Sequence, residues 1–342
     1  MKLNKMLLLV GIFVAAIALS ACAGPAGPQG PEGPAGPAGP AGPAGPAMTT
    51  ADLSCTGCHN DTGTIAAKRE GWEATAHGDG TAYVEEYGNK SCAFCHAGRA
   101  FTTAIAAGQN FSQLEAGATE PSRQDCYTCH QIHTTYTDAD WALRSVTAVT
   151  LVTSKATFDG GEGNQCANCH QARRYMANFV DKADPTKYAA TARFNTHYSV
   201  QADTLMGLVD VATVLGVEGK AASHYTMVEN TCVGCHLGDG KNHTFTPEVA
   251  TCVKCHADAE SFDVNGFQTA FETKVKELEA ALLAKGLIAE GEEGMAAVPG
   301  SYDAKSAGAM FTYFLIEEDG SMGVHNPNYF TALVDAAIAA LQ

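Results

Sequence analysis

The sequence predicts a mainly α-helical fold with extensive loops, and three observations predict it. The pattern Cys-x-x-Cys-His occurs six times between Cys55 and His256, and a single helical turn suits that spacing. The segments between the motifs are short and rich in Gly, Asn, Asp and Thr, which favour loops. Apolar residues recur at helical spacing after His256. No segment shows the sustained alternation of polar and apolar residues that indicates a strand.

Cys-x-x-Cys-His is the attachment motif of c-type haem. Its thiols can add to the two vinyl groups of one haem, and its histidine can bind the iron. Disulfides and four-cysteine zinc sites are the alternative interpretations of paired cysteines, but neither requires a histidine directly after the second cysteine. Six motifs therefore predict six covalently attached haem c groups. The predicted attachment cysteines are Cys55, Cys58, Cys92, Cys95, Cys126, Cys129, Cys166, Cys169, Cys232, Cys235, Cys252 and Cys255.

The histidine count predicts the second axial ligand of each iron. The motifs contain six of the 12 histidines, namely His59, His96, His130, His170, His236 and His256. The other six match the number of haems and are predicted distal ligands: His77, His133, His197, His224, His243 and His325. His133 follows His130 too closely to reach the other face of the same haem, so it is expected to bind an adjacent one. Methionine at one or two irons is the alternative, and it would raise their potential. The available methionines are Met176, Met206, Met227, Met310 and Met322.

Residues 1–21 are typical of a secretory signal peptide. A basic start with Lys2 and Lys5 precedes an apolar run that is too short to predict a membrane span. The run ends in Leu-Ser-Ala-Cys, which resembles a lipobox and implies lipidation of Cys22. A plain signal peptide with an incidental cysteine is the alternative. Several acyl chains anchor a protein durably, and alanine rather than aspartate at position 23 favours an outer-membrane lipoprotein at the cell surface or outside the cell.

Residues 22–47 join the lipidated cysteine to a collagen-like spacer of eight Gly-Pro-X triplets. Glycine at every third position suits a collagen triple helix, and proline favours polyproline II. The spacer is either a stiff single chain reaching roughly 70 Å at about 3 Å per residue or the stem of a homotrimer. Both arrangements would hold the following domain away from a membrane.

Residues 48–258 form the predicted hexahaem domain. Roughly 35 residues per haem are too few to build a conventional apolar core, so stacked haems are expected to form the core. The long gap between the fourth and fifth motifs contains His197, His224 and an apolar run over 205–217. It is expected to be a helical excursion that returns distal ligands to haems attached elsewhere.

Residues 259–342 contain no cysteine and form a predicted C-terminal helical region. Three helices are predicted in this region. The second is expected over 306–316, and the third begins at Pro327 with Asn326 as its cap. His325 directly precedes that cap, so ligation would fix the last helix to a haem. The first helix is predicted from apolar residues spaced three and four apart: Phe267, Phe271, Val275, Leu278 and Leu282.

Several short motifs resemble the multihaem cytochrome superfamily that includes the ammonia-forming nitrite reductases, the octahaem hydroxylamine oxidoreductases and their tetrahaem partner. They are Trp-x-x-Thr-x-His ending at His77, Cys-His-x-x-His ending at His133, His-x-Phe-x-Pro from His243, and Gly-Val-His-Asn-Pro around His325. The resemblance covers residues 55–342 and implies haem stacking and distal roles for these four histidines. The chain also resembles extracellular cytochromes of metal-reducing bacteria, some of which polymerise.

The sequence predicts electron transfer rather than catalysis. The nitrite reductases carry Cys-x-x-Cys-Lys at the catalytic haem, a motif that this chain lacks, and the histidine count leaves no iron position open for substrate. The expected partners are other redox proteins or extracellular electron acceptors, with the membrane reached through the lipid anchor. The alternatives are an enzyme acting on small nitrogen or sulfur oxyanions at one five-coordinate haem, and a subunit of a cytochrome filament.

The net charge of −16 argues against nucleic acid as a partner. It becomes about −18 when Lys2 and Lys5 leave with the signal peptide. An acidic loop of Glu317, Glu318 and Asp319 is a candidate site for calcium, which related proteins often bind.

Overall fold

The computed structural model describes residues 64–238, 243–292 and 294–342, all within a unit that spans Met48–Gln342. The predicted signal peptide, Cys22, the collagen-like segment and the first motif, with Cys55, Cys58 and His59, lie outside the described residues. Of the helices described, none combines the length and the apolar character needed to cross a membrane.

Fifteen α-helices lie in the described residues, and most are short. In chain order, α1 to α8 are Thr64–Glu73, Ala76–Asp79, Ala82–Glu86, Ala93–His96, Gly98–Ala106, Cys126–Cys129, Asn164–Ala167 and Gln201–Met206. Helices α9 to α15 are Val211–Leu215, Ser223–Met227, Cys232–His236, Val249–Val253, Phe267–Ala284, Ala304–Asp319 and Pro327–Ala340. Short 3-10 turns occur at Phe111–Gln113, Asp138–Trp141, Gly161–Gly163, Met176–Phe179 and Val264–Gly266. The predicted mainly α-helical fold with extensive loops is confirmed.

Six short strands, which no alternating pattern in the sequence indicates, form three two-stranded antiparallel sheets. They are β1 Val149–Thr150, β2 Thr157–Phe158, β3 Lys187–Ala190, β4 Ile288–Gly291, β5 Gly294–Ala297 and β6 Gly300–Asp303. β1 pairs with β2 and β4 with β5 as neighbours in the chain. β3 pairs with the distant β6, with Lys187 opposite Asp303. This last pairing connects the middle of the chain to the start of α14.

The three predicted C-terminal helices are present as α13, α14 and α15. Helix α13 buries four residues of the predicted stripe, Phe271, Val275, Leu278 and Leu282, and Phe267 is partly buried. The predicted second helix is longer at both ends. Asp303 caps its start by accepting from the backbone N–H groups of Lys305 and Ser306, and the left-handed Gly320 ends it. Helix α15 begins as expected, with the Asn326 side chain accepting from Tyr329 N and Pro327 in the first turn.

The largest apolar core lies between these helices and the segment 172–217. Helix α14 packs against α9, α13 and α15, and its buried residues include Phe311 and Met310. Met176 and Met310 are fully buried in this core, where methionine fills space between other apolar side chains. The core fixes α14 and α15, and therefore the loop between them that carries His325.

Smaller apolar clusters lie beside several attachment motifs. One contains Phe94, Phe101 and Ala104, with Cys95 and Cys169 against it. Another joins Phe158 and Ala167 to the segment 202–222, with Cys232 against it. Because the attachment cysteines line the edges of these clusters, groups bound to them would complete the packing.

Candidate haem-binding site

The described attachment motifs each close one helical turn. The backbone N–H of the histidine donates to the carbonyl of the first cysteine at 3.0 Å for His96, 2.9 Å for His130 and His170, and 2.8 Å for His256. The fifth motif is itself helix α11, Cys232–His236. Side chains three and four residues apart share one face of a helix. The two thiols and the imidazole of a motif therefore project to the same side, as attachment of one haem requires.

A cavity of about 1330 Å³ brings three motifs together. Five attachment cysteines line it: Cys95, Cys126, Cys129, Cys166 and Cys169. Seven histidines also line it: His77, His96, His130, His133, His170, His197 and His243. Apolar and aromatic side chains such as Ile65, Trp72 and Phe101 contribute to its wall. An apolar cavity lined by thiols and imidazoles fits porphyrins held by thioether bonds and axial histidines.

Five predicted distal histidines each face the histidine of a motif. A metal-bound imidazole nitrogen lies roughly 2 Å from its ion, and the ring centroid is about 1 Å further away, so imidazoles on opposite faces of one iron have centroids roughly 6 Å apart. The observed distances between ring centroids are 6.1 Å for His77 and His170, 6.2 Å for His96 and His197, 6.2 Å for His130 and His243, 6.3 Å for His224 and His256, and 6.3 Å for His236 and His325. The spacing suits an iron between the two rings of each pair.

The remaining members of the two histidine sets are His59 and His133. His59 lies outside the described residues. His133 lines the large cavity, and its ring stacks on Tyr136 with centroids 5.5 Å apart. His197 and His224 lie in the long gap between the fourth and fifth motifs. They face histidines of the second and sixth motifs, neither of which borders that gap.

The Nδ1 atoms of five paired histidines have hydrogen-bond acceptors. The partners are Trp141 O for His130 at 2.6 Å, Gln201 Oε1 for His170 at 3.0 Å, Val324 O for His224 at 2.7 Å, Phe245 O for His236 at 2.7 Å, and Asp319 Oδ1 for His325 at 2.9 Å. A carbonyl or carboxylate oxygen only accepts, so Nδ1 donates in each bond. Nε2 then presents its lone pair, and a partner of this kind fixes the ring orientation and raises ligand basicity.

Burial keeps most of these imidazoles neutral. It lowers the pKa of His77 to about 4, with a further contribution from His170. Burial also lowers the pKa of His197 to about 4, assisted by Arg173 and Arg174. A neutral imidazole is the form that binds a metal. These rings are therefore ready to act as ligands at neutral pH.

His325 differs from the other paired histidines. Burial alone would lower its pKa, but the Asp319 carboxylate raises it above the ordinary value. Burial would likewise raise the pKa of Asp319, yet His325 and hydrogen bonds from Ser321 and Thr204 hold it below the usual range. Sequence reasoning does not identify Asp319 as the partner of His325, because a carboxylate six residues before a histidine forms no motif.

Thiols of different motifs meet inside the protein. Cys95 and Cys169 are within hydrogen-bonding reach, as are Cys166 and Cys232. Groups attached at the second, fourth and fifth motifs would therefore have adjacent edges.

Gly163 permits the close approach of the fourth and fifth motifs. A Cβ atom at Gly163 would lie 2.0 Å from Thr231 Oγ1 and 2.9 Å from Asn230 O. Thr231 directly precedes Cys232, and its Oγ1 donates to Gly160 O at 3.1 Å. A side chain at position 163 would push the two segments apart.

None of the ten described motif cysteines forms a disulfide. No three or more His, Cys, Asp or Glu side chains come together as a metal-ion site in the part of the chain that the structure describes. The four-cysteine arrangement of a zinc site is thus not formed by the described motifs. Pairs of facing histidines are instead what a porphyrin-bound iron requires, since the macrocycle supplies its other ligands.

The acidic segment with predicted calcium binding is helical rather than a loop, and calcium binding stays a prediction. Glu317, Glu318 and Asp319 form the last turn of α14 because the helix continues to its cap at Gly320. Asp319 is buried and accepts from Thr204 Oγ1 at 2.5 Å, and Glu318 accepts from Asn195 Nδ2 at 2.8 Å. Two of the three carboxylates therefore already have partners within the protein.

No protein-family model matches the chain. The C-type polyheme cytochrome OmcB of Geobacter sulfurreducens is 24% identical over 281 residues, which is 67% of this chain and 36% of OmcB. The chain therefore spans about a third of the length of that relative.

Two solved structures are similar. The outer cell wall cytochrome OcwA has a TM-score of 0.50 and 19% identity, over 82% of this chain and 51% of that chain. The undecaheme cytochrome from the S-layer of Carboxydothermus ferrireducens has a TM-score of 0.45 and 19% identity, over 77% and 40% of the two chains. The similarity to OcwA shows a shared fold.

The sequence similarity to OmcB and the fold shared with OcwA agree with the multihaem c-type cytochrome that the attachment motifs predict. The prediction of that class is confirmed.

Proposed function

We propose that this protein is a surface-tethered hexahaem electron carrier. It would pass electrons between a membrane or periplasmic donor and an extracellular acceptor. The observation that carries the proposal is the set of five facing histidine pairs, because an iron with imidazole on both faces has no position open for a substrate. Haem supplies reversible one-electron chemistry at such an iron. The chain fixes the positions of the haems, their solvent access and the hydrogen bonds to their ligands.

The proposed haem-holding residues are those of the six motifs and their facing histidines. The second motif would share its iron with His197, the third with His243, the fourth with His77, the fifth with His325 and the sixth with His224. With these ten histidines assigned, we propose that His133 and His59 serve the first haem. Lys68, Arg69 and Arg173 line the large cavity, where their charge would offset that of haem propionates.

The tether is proposed from sequence alone. Lipidated Cys22 would anchor the chain in the outer membrane, and residues 22–47 would hold the haem domain clear of it, as a single-chain spacer or as the stem of a trimer. An acceptor outside the cell then becomes reachable. The acceptor would be a redox protein or another extracellular oxidant.

Ligand binding to the reduced holoprotein tests the carrier function. The fully reduced wild-type protein, with six haems verified by mass spectrometry, is titrated with nitric oxide while the Soret band is recorded. We expect no change, since both axial positions of every iron are filled. His77→Ala should open one iron, so that one haem in six responds. A wild-type protein in which one haem binds nitric oxide would overturn the proposal and favour an enzyme.

A further inference from the structure

The hydrogen-bond acceptors of His130, His170, His224, His236 and His325 differ in charge. His130, His224 and His236 donate to backbone carbonyl oxygens, and His170 donates to the side-chain amide of Gln201. His325 donates to a carboxylate, with Asp319 Oδ1 at 2.9 Å and Oδ2 at 3.0 Å from Nδ1. Among these five bonds, the one at His325 is therefore the one with an anionic acceptor.

The Asp319 carboxylate is buried and held in place. Its residue is 2% exposed. Thr204 Oγ1 donates to Oδ2 at 2.5 Å, and the Ser321 hydroxyl and backbone N–H donate to Oδ1. The Ser321 hydroxyl also accepts from His325 N at 3.2 Å. These bonds orient the carboxylate toward His325 and stabilise its negative charge.

The same segment contacts the ligands of neighbouring haems. Gln201 accepts from His170 and donates through Nε2 to the backbone carbonyl of Asp319 at 2.9 Å. Val324 O, one residue before His325, accepts from His224. The segment 319–325 therefore supports ligands proposed for the fourth, fifth and sixth haems, but the carboxylate of Asp319 lies against only His325 among them.

We propose that Asp319 lowers the reduction potential of the haem attached at Cys232 and Cys235. This inference rests on the proposed function, in which His236 and His325 bind that iron. Reduction adds one electron to ferric iron to give ferrous iron, with no proton transferred and with the electron supplied by an external reductant. The ferric form carries one more positive charge, so a buried anion next to its ligand stabilises it preferentially. The hydrogen bond also makes His325 a stronger donor to the ferric iron.

The test compares two variants of the full holoprotein that each remove one carboxylate. Asp319→Asn keeps an oxygen able to accept from Nδ1 but removes the charge. Glu317→Gln removes an equal charge from an exposed position of the same helix. Redox titrations followed by electron paramagnetic resonance resolve the individual ferric signals. We expect Asp319→Asn to shift one haem toward easier reduction by at least tenfold in its equilibrium constant, which is about 59 mV for one electron. Glu317→Gln should shift the reduction potential of that haem far less.

An unchanged set of potentials in Asp319→Asn would overturn the inference, as would an equal shift in Glu317→Gln. Should Asp319→Asn not accumulate with six haems, Thr204→Val decides instead. It removes a donor to the carboxylate while keeping the charge, so the hydrogen bond from His325 strengthens and the same haem should become harder to reduce. A shift of the opposite sign, or none, contradicts the inference.

His325→Ala separates this inference from the proposed function. If His325 is a ligand, the variant should gain one high-spin ferric signal. A variant that stays fully low-spin would contradict the assigned ligand and hence the proposed function. A new high-spin signal together with unchanged potentials in Asp319→Asn would contradict only the role of Asp319.

Discussion

His77 and His170 face each other with ring centroids 6.1 Å apart, although the second and third attachment motifs lie between them in the chain. His77 is on the short helix α2, and His170 follows α7. The chain thus leaves the site after α2, forms two other motifs and returns. Distance along the chain therefore does not predict which distal histidine serves which motif, and a ligand variant tests the assignment directly.

Replacing His224 by methionine should raise the potential of one haem. His224 lies on α10 and faces His256 at 6.3 Å, so the variant would convert one bis-histidine iron to methionine and histidine ligation. Methionine raises haem potential, and we expect a rise of more than about 59 mV, a tenfold change for one electron. Spectroelectrochemical titration measures it, together with the appearance of a thioether-ligated ferric spectrum.

The matched control is Met227→Leu on the same helix. Met227 is 71% exposed, so its loss should leave every potential unchanged. If both variants gave the wild-type titration curve, His224 would not be an iron ligand, and the assignment of the sixth haem would be wrong.

Much of the candidate site could be predicted from the sequence because covalent attachment imposes a local motif. Cys166, Cys169 and His170 are adjacent in the chain, and one helical turn brings them together. The equal numbers of motif and non-motif histidines also depend on composition alone. The helices α13 and α15 could be predicted for a similar reason, since their apolar spacing and the Asn326 cap are local signals.

The pairings could not be predicted, because they depend on tertiary structure. His130 faces His243, and nothing in the intervening sequence encodes their distance. The hydrogen-bond acceptors of the histidines could not be predicted either, since Val324 and Phe245 contribute backbone carbonyls that any residue possesses. The pairing of β3 with β6 joins segments too short to show alternation.

Asn326→Ala should destabilise the holoprotein and loosen His325. The buried Asn326 side chain accepts from Tyr329 N at the start of α15 and donates to Thr204 O at 3.0 Å and Lys220 O at 2.8 Å. Losing the cap and these two hydrogen bonds should cost about 3 kcal/mol of the free energy of unfolding. Denaturant unfolding measures the cost, and paramagnetic resonance reports the axial ligands.

Asn110→Ala is the comparison for that experiment. Asn110 caps the 3-10 turn Phe111–Gln113 from a partly exposed position, so its removal should cost about 1 kcal/mol and leave the haem signals unchanged. Equal costs in the two variants would show that the buried bonds of Asn326 contribute nothing beyond an ordinary cap.

Gly163→Ala should separate the fourth and fifth motifs. The new methyl group would overlap Thr231 Oγ1, which lies 2.0 Å from the Cβ position. Forcing atoms into a packed contact typically costs about 1–3 kcal/mol, and thermal unfolding should show that loss. Gly88→Ala is the control, because nothing lies within 4 Å of its Cβ position. Adding Thr231→Gly to Gly163→Ala should restore part of the stability; failure of this rescue would mean that the contact is not the cause.

The buried carboxyl of Asp203 should make stability depend on pH. Burial raises its pKa to about 6, while Tyr175 Oη donates to it at 2.6 Å and Ala172 N at 2.7 Å. An aspartate in an unfolded chain has a pKa of about 4, so between about pH 4 and pH 6 the folded protein binds more protons than the unfolded one. The contribution of Asp203 to stability is therefore fully present below about pH 4 and is lost as the pH rises through about 6. The loss amounts to about 3 kcal/mol over that window.

Asp203→Asn isolates this contribution, because its side chain does not titrate. Subtracting the stability of the variant from that of the wild type at each pH cancels the other carboxyl groups. We expect the difference to fall between about pH 4 and pH 6 and to level off above that range, since the folded carboxyl is then ionised. A difference that stays constant from pH 4 to pH 7 would mean that the Tyr175 and Ala172 hydrogen bonds stabilise the carboxylate enough to offset its burial.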